Sequence, residues 1–228
     1  MKSSLIKAVI FDFDGTIVDS YEAHLESFRR ALRKLSLKVD DEEIYRRFGK
    51  PAKVILAEIL PDSVHHLIDD IVREKRREFI ETSSRIRLFG GVEETLKYLR
   101  SKGVGLGLAT SADRPSVMRV LERFSLQHYF DTVVSSEDVV EAKPNPKIFI
   151  LTAERLGVEP DDCLIVGDSI FDVIAALEAG MRIVVVANNP YQVEEVREKG
   201  VEVLDSMGEL KNIISRSNFC FNINIYVI

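Results

Sequence analysis

Ala8-Val9-Ile10-Phe11-Asp12-Phe13-Asp14-Gly15-Thr16 is the stretch on which the fold turns. Four apolar residues end abruptly in two aspartates one residue apart, then a glycine and a threonine. The apolar run predicts a short buried strand. The glycine marks a tight turn after the second aspartate. In extended chain, residues i and i+2 face the same way, so Asp12 and Asp14 are expected to leave one strand end side by side. Two unit charges ~4 Å apart repel by about 4 kcal/mol at an effective dielectric of ~20. A divalent cation, a shared proton, or both would relieve that repulsion.

After Asp19 the pattern turns helical. Leu25, Phe28, Leu32 and Leu35 share one face, with Arg29, Arg30, Arg33 and Lys34 largely opposite. Helical character resumes at Asp41 and runs to Ser83, with breaks at Pro51 and Pro61. The basic cluster Arg73, Lys75, Arg76 and Arg77, interleaved with Glu74 and Glu78, reads as a solvated helix face. The block stops at Gly90-Gly91. Strands at 104–109, 132–135, 163–166, 183–186 and 201–204 then alternate with helices at 92–101, 115–124, 146–156, 170–179, 191–199 and 207–214. This alternation predicts an α/β fold, a Rossmann-like parallel sheet flanked by helices, with the first strand in the same sheet. The helical block is then an insertion after strand one. The expected division is 1–19 and 88–216 for the α/β core and 20–87 for a small all-α cap. The tail, 217–228, alternates apolar and polar residues and reads equally as an edge strand or a poorly ordered end.

The formal net charge of -6 over 228 residues argues against a nucleic-acid binder, which usually carries a basic surface. No apolar stretch is long enough to span a membrane, and the N-terminus lacks the shape of a signal peptide. Cys163 and Cys220 lie far apart and suggest no disulfide framework; Cys163, within a strand, reads as inert packing. A cytoplasmic protein is expected.

In open parallel sheets, ligands bind beyond the carboxyl ends of the strands. Strand one ends there in Asp12 and Asp14, the next in Thr110-Ser111, and a later one in Gly167-Asp168-Ser169, with Asp172 one helical turn on. Lys143 lies in the loop Lys143-Pro144-Asn145-Pro146. Singly, each has a plain reading: turn-forming aspartates, helix-capping hydroxyls, a solvated lysine. Together they fall on one edge of one sheet. This set resembles the haloacid dehalogenase superfamily of phosphotransferases. Asp12-Phe13-Asp14-Gly15-Thr16 is similar to its first motif, Thr110 to its second, Lys143 to its third, and Gly167-Asp168 with Asp172 to its fourth. The resemblance runs from Lys7 to about Leu210 and includes the helical insertion of one subgroup.

The resemblance implies an aspartyl-phosphate mechanism. Asp12 is the nucleophile, and Asp14 is the general acid and then the base, with neighbouring carboxylates raising its affinity for a proton. Mg²⁺ is the implied cofactor, held by Asp12, the backbone carbonyl of Asp14, and Asp168. Lys143 places an ammonium beside the nucleophile. Thr110 and Ser111 are candidate phosphoryl contacts, and Asp172 is a support for Lys143 or a metal-bound water. His24 and Lys50 are candidate substrate contacts. For His24 a partly exposed helical histidine is the preferred plain reading. For Gly49-Lys50-Pro51 a helix-connecting turn is the equal alternative. The implied function is hydrolysis of a small phosphorylated metabolite, with the oligomeric state left open. A β-phosphoglucomutase-type isomerase is the runner-up, kept alive by His24. Against it, Gly167 stands where those mutases have an acidic metal ligand. Dehalogenation needs neither Asp14 nor Asp168, and a non-enzymatic binding module would be expected to have lost one of these groups.

Overall fold

The structure is a computed structural model that describes residues 5–217. The tail from residue 218, with Cys220, lies outside the described residues. The chain opens with β1 (Ala8–Phe11) and β2 (Val18–Asp19), then four helices: α1 (Tyr21–Lys34), α2 (Asp41–Tyr45), α3 (Ala52–Ile59) and α4 (Ile68–Thr82). There follow β3 (Arg87–Leu88), α5 (Val92–Ser101), β4 (Gly105–Ala109), α6 (Arg114–Arg123), β5 (Thr132–Val134), α7 (Lys147–Leu156), β6 (Cys163–Gly167) and α8 (Ile170–Glu178). The last elements are β7 (Arg182–Val186), α9 (Val193–Glu198), β8 (Glu202–Leu204) and α10 (Leu210–Ser217). No helix among the described residues is long and apolar enough to cross a membrane.

Six strands form one parallel sheet in the order β5-β4-β1-β6-β7-β8. All four residues of β1 are buried, because helices cover both faces. Val9 and Phe11 pack with Leu96 and Leu99 of α5, Val117 of α6 and Leu210 of α10. Ala8 and Ile10 pack with Ile148 and Phe149 of α7, Val173 of α8 and Val196 of α9. The alternation of the pleat thus sends successive residues of one strand into two separate cores.

Helices α1 to α4 share a third apolar cluster, in which Leu25, Phe28 and Leu32 meet Ile44, Leu56, Ile68 and Ile71. Its chain breaks sit at the prolines: Pro51 precedes α3, and Pro61 precedes a 3₁₀ turn at Asp62–Leu67 that leads into α4. The sequence pattern misses one feature. β2 and β3 pair antiparallel, Val18 with Leu88 and Asp19 with Arg87, where the chain leaves the sheet and returns to it. Two residues per strand are too few to show a period of two.

The sheet and α7 meet at Gly107 in β4. A Cβ there would lie 2.5 Å from Thr152 Cγ2 and 3.2 Å from Leu156 Cδ1. The bare backbone lets α7 settle onto β4, and α7 follows the loop that carries Lys143. Gly107→Val should therefore destabilise the fold by about 1–3 kcal/mol, read as a lower urea midpoint at unchanged slope. An unchanged midpoint would show that α7 does not sit this close.

Candidate active site

β1 lies between β4 and β6, where the strand order reverses, so the crevice beyond its carboxyl end is the expected ligand site. The Asp12 N–H still donates to Val166 O at 2.8 Å, which extends the ladder one residue and aims Asp12 past the sheet edge. Lys143 comes from the loop between β5 and α7, and its side chain is fully buried. Its Nζ donates to Asp12 Oδ1 and, at 2.8 Å, to Asp172 Oδ1. Asp172 stands in the first turn of α8 in a capping box: its Oδ2 accepts from Ser169 N–H at 3.1 Å and Ser169 Oγ at 2.5 Å. Asp168 accepts from Thr16 Oγ1 at 3.2 Å and from the Tyr21 hydroxyl. Oxygens of Asp12, Asp168 and Asp172 all lie within 4.8 Å of one another, and all three residues are buried.

Burial pushes the Asp12 carboxyl well above the usual carboxylate range, against the pull of Lys143. Burial, reinforced by Asp172, pushes Asp168 up to about 7, against the Tyr21 hydrogen bond. Burial alone would lower Lys143; Asp12 and Asp172 outweigh it and raise its affinity for the proton. With all groups ionised, three carboxylates face one ammonium. Two negative charges are left over in a pocket of hard oxygen donors, a fit for a divalent hard cation.

Asp14 corrects the sequence reading. Its carboxylate is not part of the cluster that Asp12 forms with Asp168 and Asp172. The chain folds back after Phe13, whose carbonyl accepts from Ile17 N–H at 2.9 Å and Val18 N–H at 3.2 Å. Gly15 takes φ +84°, and a Cβ there would run into the Tyr21 hydroxyl and the Asp168 carboxylate. Asp14 is turned instead toward α1, where Oδ1 accepts from Ser20 Oγ at 2.5 Å and lies 3.0 Å from His24 Nε2. Burial would raise its pKa, but His24 and Ser20 outweigh burial and hold it below the usual range. The expected upward shift from crowding is reversed, because the groups that hold the Asp14 carboxylate are His24 and Ser20.

His24 is a partly exposed helical residue, as the plain reading has it, with its side chain 15% exposed, but it is not free: both ring nitrogens are engaged and it lines the cavity. Its ring stacks on Phe79 at 4.3 Å, and its Nδ1 lies 2.7 Å from Lys75 Nζ. Lys75 is no solvated residue: it is 8% exposed, with its ammonium over the rings of Phe28 and Phe79. An ammonium can only donate, so it fixes His24 Nδ1 as acceptor and Nε2–H as the donor to Asp14. Burial and the neighbouring Lys75 hold His24 below its ordinary pKa, while burial brings Lys75 down to about 8. The sequence held a signal for Lys75: it interrupts the stripe Ile68, Ile71, Lys75, Phe79, Thr82, each of which is buried. Tyr21 had one too, since it stands one helical turn before His24.

Thr110 is buried, and its Oγ1 accepts from Ala112 N–H at 3.0 Å. The cap of α6 is Asp113, not Thr110 or Ser111. Ser111 donates to the carbonyl of Gly49 at 2.8 Å, joining β4's loop to the turn between α2 and α3. Lys50, in that turn, pairs with Glu58 at 2.7 Å and lies over Phe171 at 4.7 Å. A cavity of about 430 Å³ opens over these groups; Asp12, Asp14, His24, Lys50, Thr110 and Ser111 are among its lining. Asp168 and Lys143 sit behind it, in contact with the lining groups Tyr21 and Asp12.

Residues 9–186 match the family model described as haloacid dehalogenase-like hydrolase. A phosphorylated carbohydrates phosphatase from Thermotoga maritima is 33% identical over 216 residues, covering 92% of this chain and 98% of the relative. A phosphoglycolate phosphatase from Shigella boydii is 35% identical over 198 residues, covering 77% and 79%. The crystal structure of CbbY from Rhodobacter sphaeroides in complex with phosphate superposes with a TM-score of 0.79 at 27% identity, over 90% of this chain and 96% of that one. The match over most of the chain, with the acidic cluster at the reversal point of the sheet, establishes that the protein belongs to the haloacid dehalogenase-like hydrolases.

Proposed function

We propose that this chain hydrolyses small phosphorylated metabolites by passing the phosphoryl group through Asp12, with Mg²⁺ held by Asp12, the backbone carbonyl of Asp14, and Asp168. The observation behind this reading is the separation of two aspartates into two environments. Asp12 is held by Lys143 among carboxylates, and Asp14 is held by Ser20 and His24. Acid and nucleophile are thereby distinguished, as environment distinguishes paired carboxylates in other enzymes. The phosphatase names of the relatives support the same class.

Bound Mg²⁺ would supply positive charge between the carboxylates and an incoming phosphate dianion. Lys143 keeps an oxygen of Asp12 in place and adds its ammonium to the stabilisation of charge at phosphorus. An electron pair of Asp12 forms the new O–P bond as the ester P–O bond breaks. Asp14 gives the leaving oxygen its proton. Because Asp14 favours the ionised form, that proton has to reach it through the chain behind it: His24 passes Nε2–H to Asp14 as Lys75 passes a proton to Nδ1. In the second half, water attacks phosphorus, its proton goes to Asp14 and back along the chain to Lys75, and the Asp12–phosphorus bond breaks. Thr110 Oγ1 already accepts from Ala112, so its own proton is available for a phosphoryl oxygen.

The helical block, 20–87, acts as a cap. It supplies His24 and Lys75, and most of the cavity lining beyond Asp12. The basic residues Lys50, Lys53, Arg73, Lys75 and Arg76 line the cavity with the acidic Asp12, Asp14, Asp69 and Asp113, and all five cations come from the helical block, which suits a small anionic substrate. Hydrolysis is favoured over isomerisation by Gly167. A Cβ there would lie 2.6 Å from the Asp172 side chain, so the acidic neighbour that mutases place beside the aspartate has no room. The acidic net charge and widely spaced cysteines fit work in the cytoplasm.

A panel of phosphorylated metabolites assayed with Mg²⁺ and ranked by kcat/KM tests the reading. Phosphate release should stop on chelation and return with Mg²⁺, and Asp12→Asn should lower kcat at least about a thousandfold. Metal-dependent release by Asp12→Asn at the wild-type rate would falsify the assignment. Lys75→Met tests the proton chain, with kcat expected to fall about a hundredfold. Its stability carries an opposite sign. Lys75 titrates near 8 in the fold against 10.5 in the open chain, so burying its charge costs stability below about pH 8. Between those values the unfolded chain binds more protons, and wild-type stability rises with pH. Relative to Lys75→Met, the wild type should gain about 2 kcal/mol from about pH 7.5 to 9.5, measured by urea titration. A flat difference across that range would contradict the buried charge.

A further inference from the structure

Gln192 takes no part in the chemistry above, yet it is 2% exposed, and a buried amide must find partners. Its Oε1 accepts from the N–H of Ile170 at 2.9 Å, two residues beyond Asp168. Its Nε2 donates to the carbonyl of Phe48 at 3.0 Å and that of Arg46 at 3.3 Å. These carbonyls belong to the turn between α2 and α3, which roofs the cavity with Phe48, Gly49 and Lys50. The partners fix the amide's orientation, since the reverse would set an oxygen against two carbonyls and an NH₂ against an N–H.

The same seam is closed by packing. Gly49 takes φ +104°, and a Cβ there would lie 2.7 Å from Ser169 Oγ, so the roof rests on the residue after Asp168. The Phe48 ring stacks on Tyr21 at 5.5 Å, and the Tyr21 hydroxyl reaches Asp168. Tyr45 lies edge-on to Phe48 at 5.1 Å and stacks on Tyr191 at 4.9 Å, beside Gln192. Neither turn can move away from the other without stranding a buried donor or acceptor.

We propose that Gln192 is a positioning residue that ties the roof of the substrate cavity, 46–50, to the turn carrying Asp168, 168–170, so that ordering one orders the other. The inference rests on the phosphatase reading only for Asp168 as a metal ligand. Coupling of this kind is reciprocal: a cation at Asp168 tightens the roof, and a closed roof tightens the cation.

Hydrogen–deuterium exchange of the full chain with and without Mg²⁺ alone reads this without catalysis. In the wild type, Mg²⁺ should slow amide exchange at 168–172 and, by about fivefold or more, at 46–50. Gln192→Glu keeps an acceptor for Ile170 N–H but turns a carboxylate oxygen on the two roof carbonyls. Gln192→Met keeps the shape and removes every partner. In both variants the slowing at 46–50 should fall below about twofold while that at 168–172 persists. KM for the best substrate of the panel should rise about tenfold with kcat within about threefold. Thermal melting establishes that each variant folds. If neither does, Tyr191→Ala, at a residue 43% exposed, loosens the same seam and should lose part of the slowing at 46–50. Slowing at 168–172 without any at 46–50 in the wild type, or equal slowing at 46–50 in all folded variants, overturns the coupling alone. No slowing at either turn overturns the metal assignment and the coupling with it.

Discussion

The Lys143 ammonium, fully buried between Asp12 and Asp172, is the contact on which the site depends. Three buried carboxylates within 4.8 Å of one another are untenable without compensating charge. Lys143 supplies part of it, as a point charge whose nitrogen lies 5.8 Å from the centre of the Phe149 ring. Asp172 has two duties. One oxygen holds the ammonium, and the other closes the first turn of α8 through Ser169. The second duty fixes the first, because a carboxylate committed to a capping box has little freedom left to drift from Lys143. Gly167 makes room for that arrangement, since a side chain there would strike Asp172.

The two aspartates of the opening motif serve different parts of the molecule. Asp12 extends the β1 ladder and is fixed by the sheet and by Lys143. Asp14 comes after the chain reverses at Phe13 and is fixed by groups of α1 and α4, Ser20 and His24 directly and Lys75 through the imidazole. On the proposed mechanism, a nucleophile built on the sheet and an acid–base group tuned from the helical block are complete together only when the block is seated. Proton transfer on that proposal is conditional on the helices, a form of gating that needs no motion of the nucleophile.

Much of this was legible in the residues, and the exceptions have physical causes. The parallel sheet could be read because its strands are short apolar runs divided by helices with glycine just past their ends, as at Gly157 after α7. Asp12, Lys143, Asp168 and Asp172 could be placed on one edge because strand ends in such a sheet share an edge. The direction of Asp14 could not. It depends on a turn closed by Phe13 O and Gly15, whereas the extrapolation assumed extended chain. Lys75 was misread because a basic cluster is usually solvated; its place in an apolar stripe was the stronger signal. The β2–β3 pairing and the partners of Gln192 are long-range contacts between segments with no local pattern, and residues 46 and 192 carry no mark of each other.

The attachments between block and sheet differ in strength along the cavity. Some are buried or part-buried: Gln192 to two carbonyls, Tyr21 to Asp168, Ser111 to Gly49. Each would leave a desolvated polar group behind if broken, at a cost of about 1–3 kcal/mol. The tie of Arg76 to Asp113 at the cavity lining is weaker, at 3.6 Å with the arginine side chain 52% exposed, and the exposed Arg123 of α6 adds bonds to the carbonyls of Ser83 at 2.6 Å and Ser84 at 3.1 Å. An exposed pair such as Arg76 and Asp113 is worth about 0–1 kcal/mol and weakens further in salt. Asp113 loses little when it parts, since it also accepts from Ser116 N–H and Oγ as the cap of α6. The energetic asymmetry makes the Arg76 contact one that yields before the buried ties, and the unburied cations Arg73 and Lys53 line the same cavity. A phosphorylated molecule thus meets the positive charge of the block at a cavity whose exposed tie is the weaker one, while Asp12 lies beside the tie from Tyr21 to Asp168.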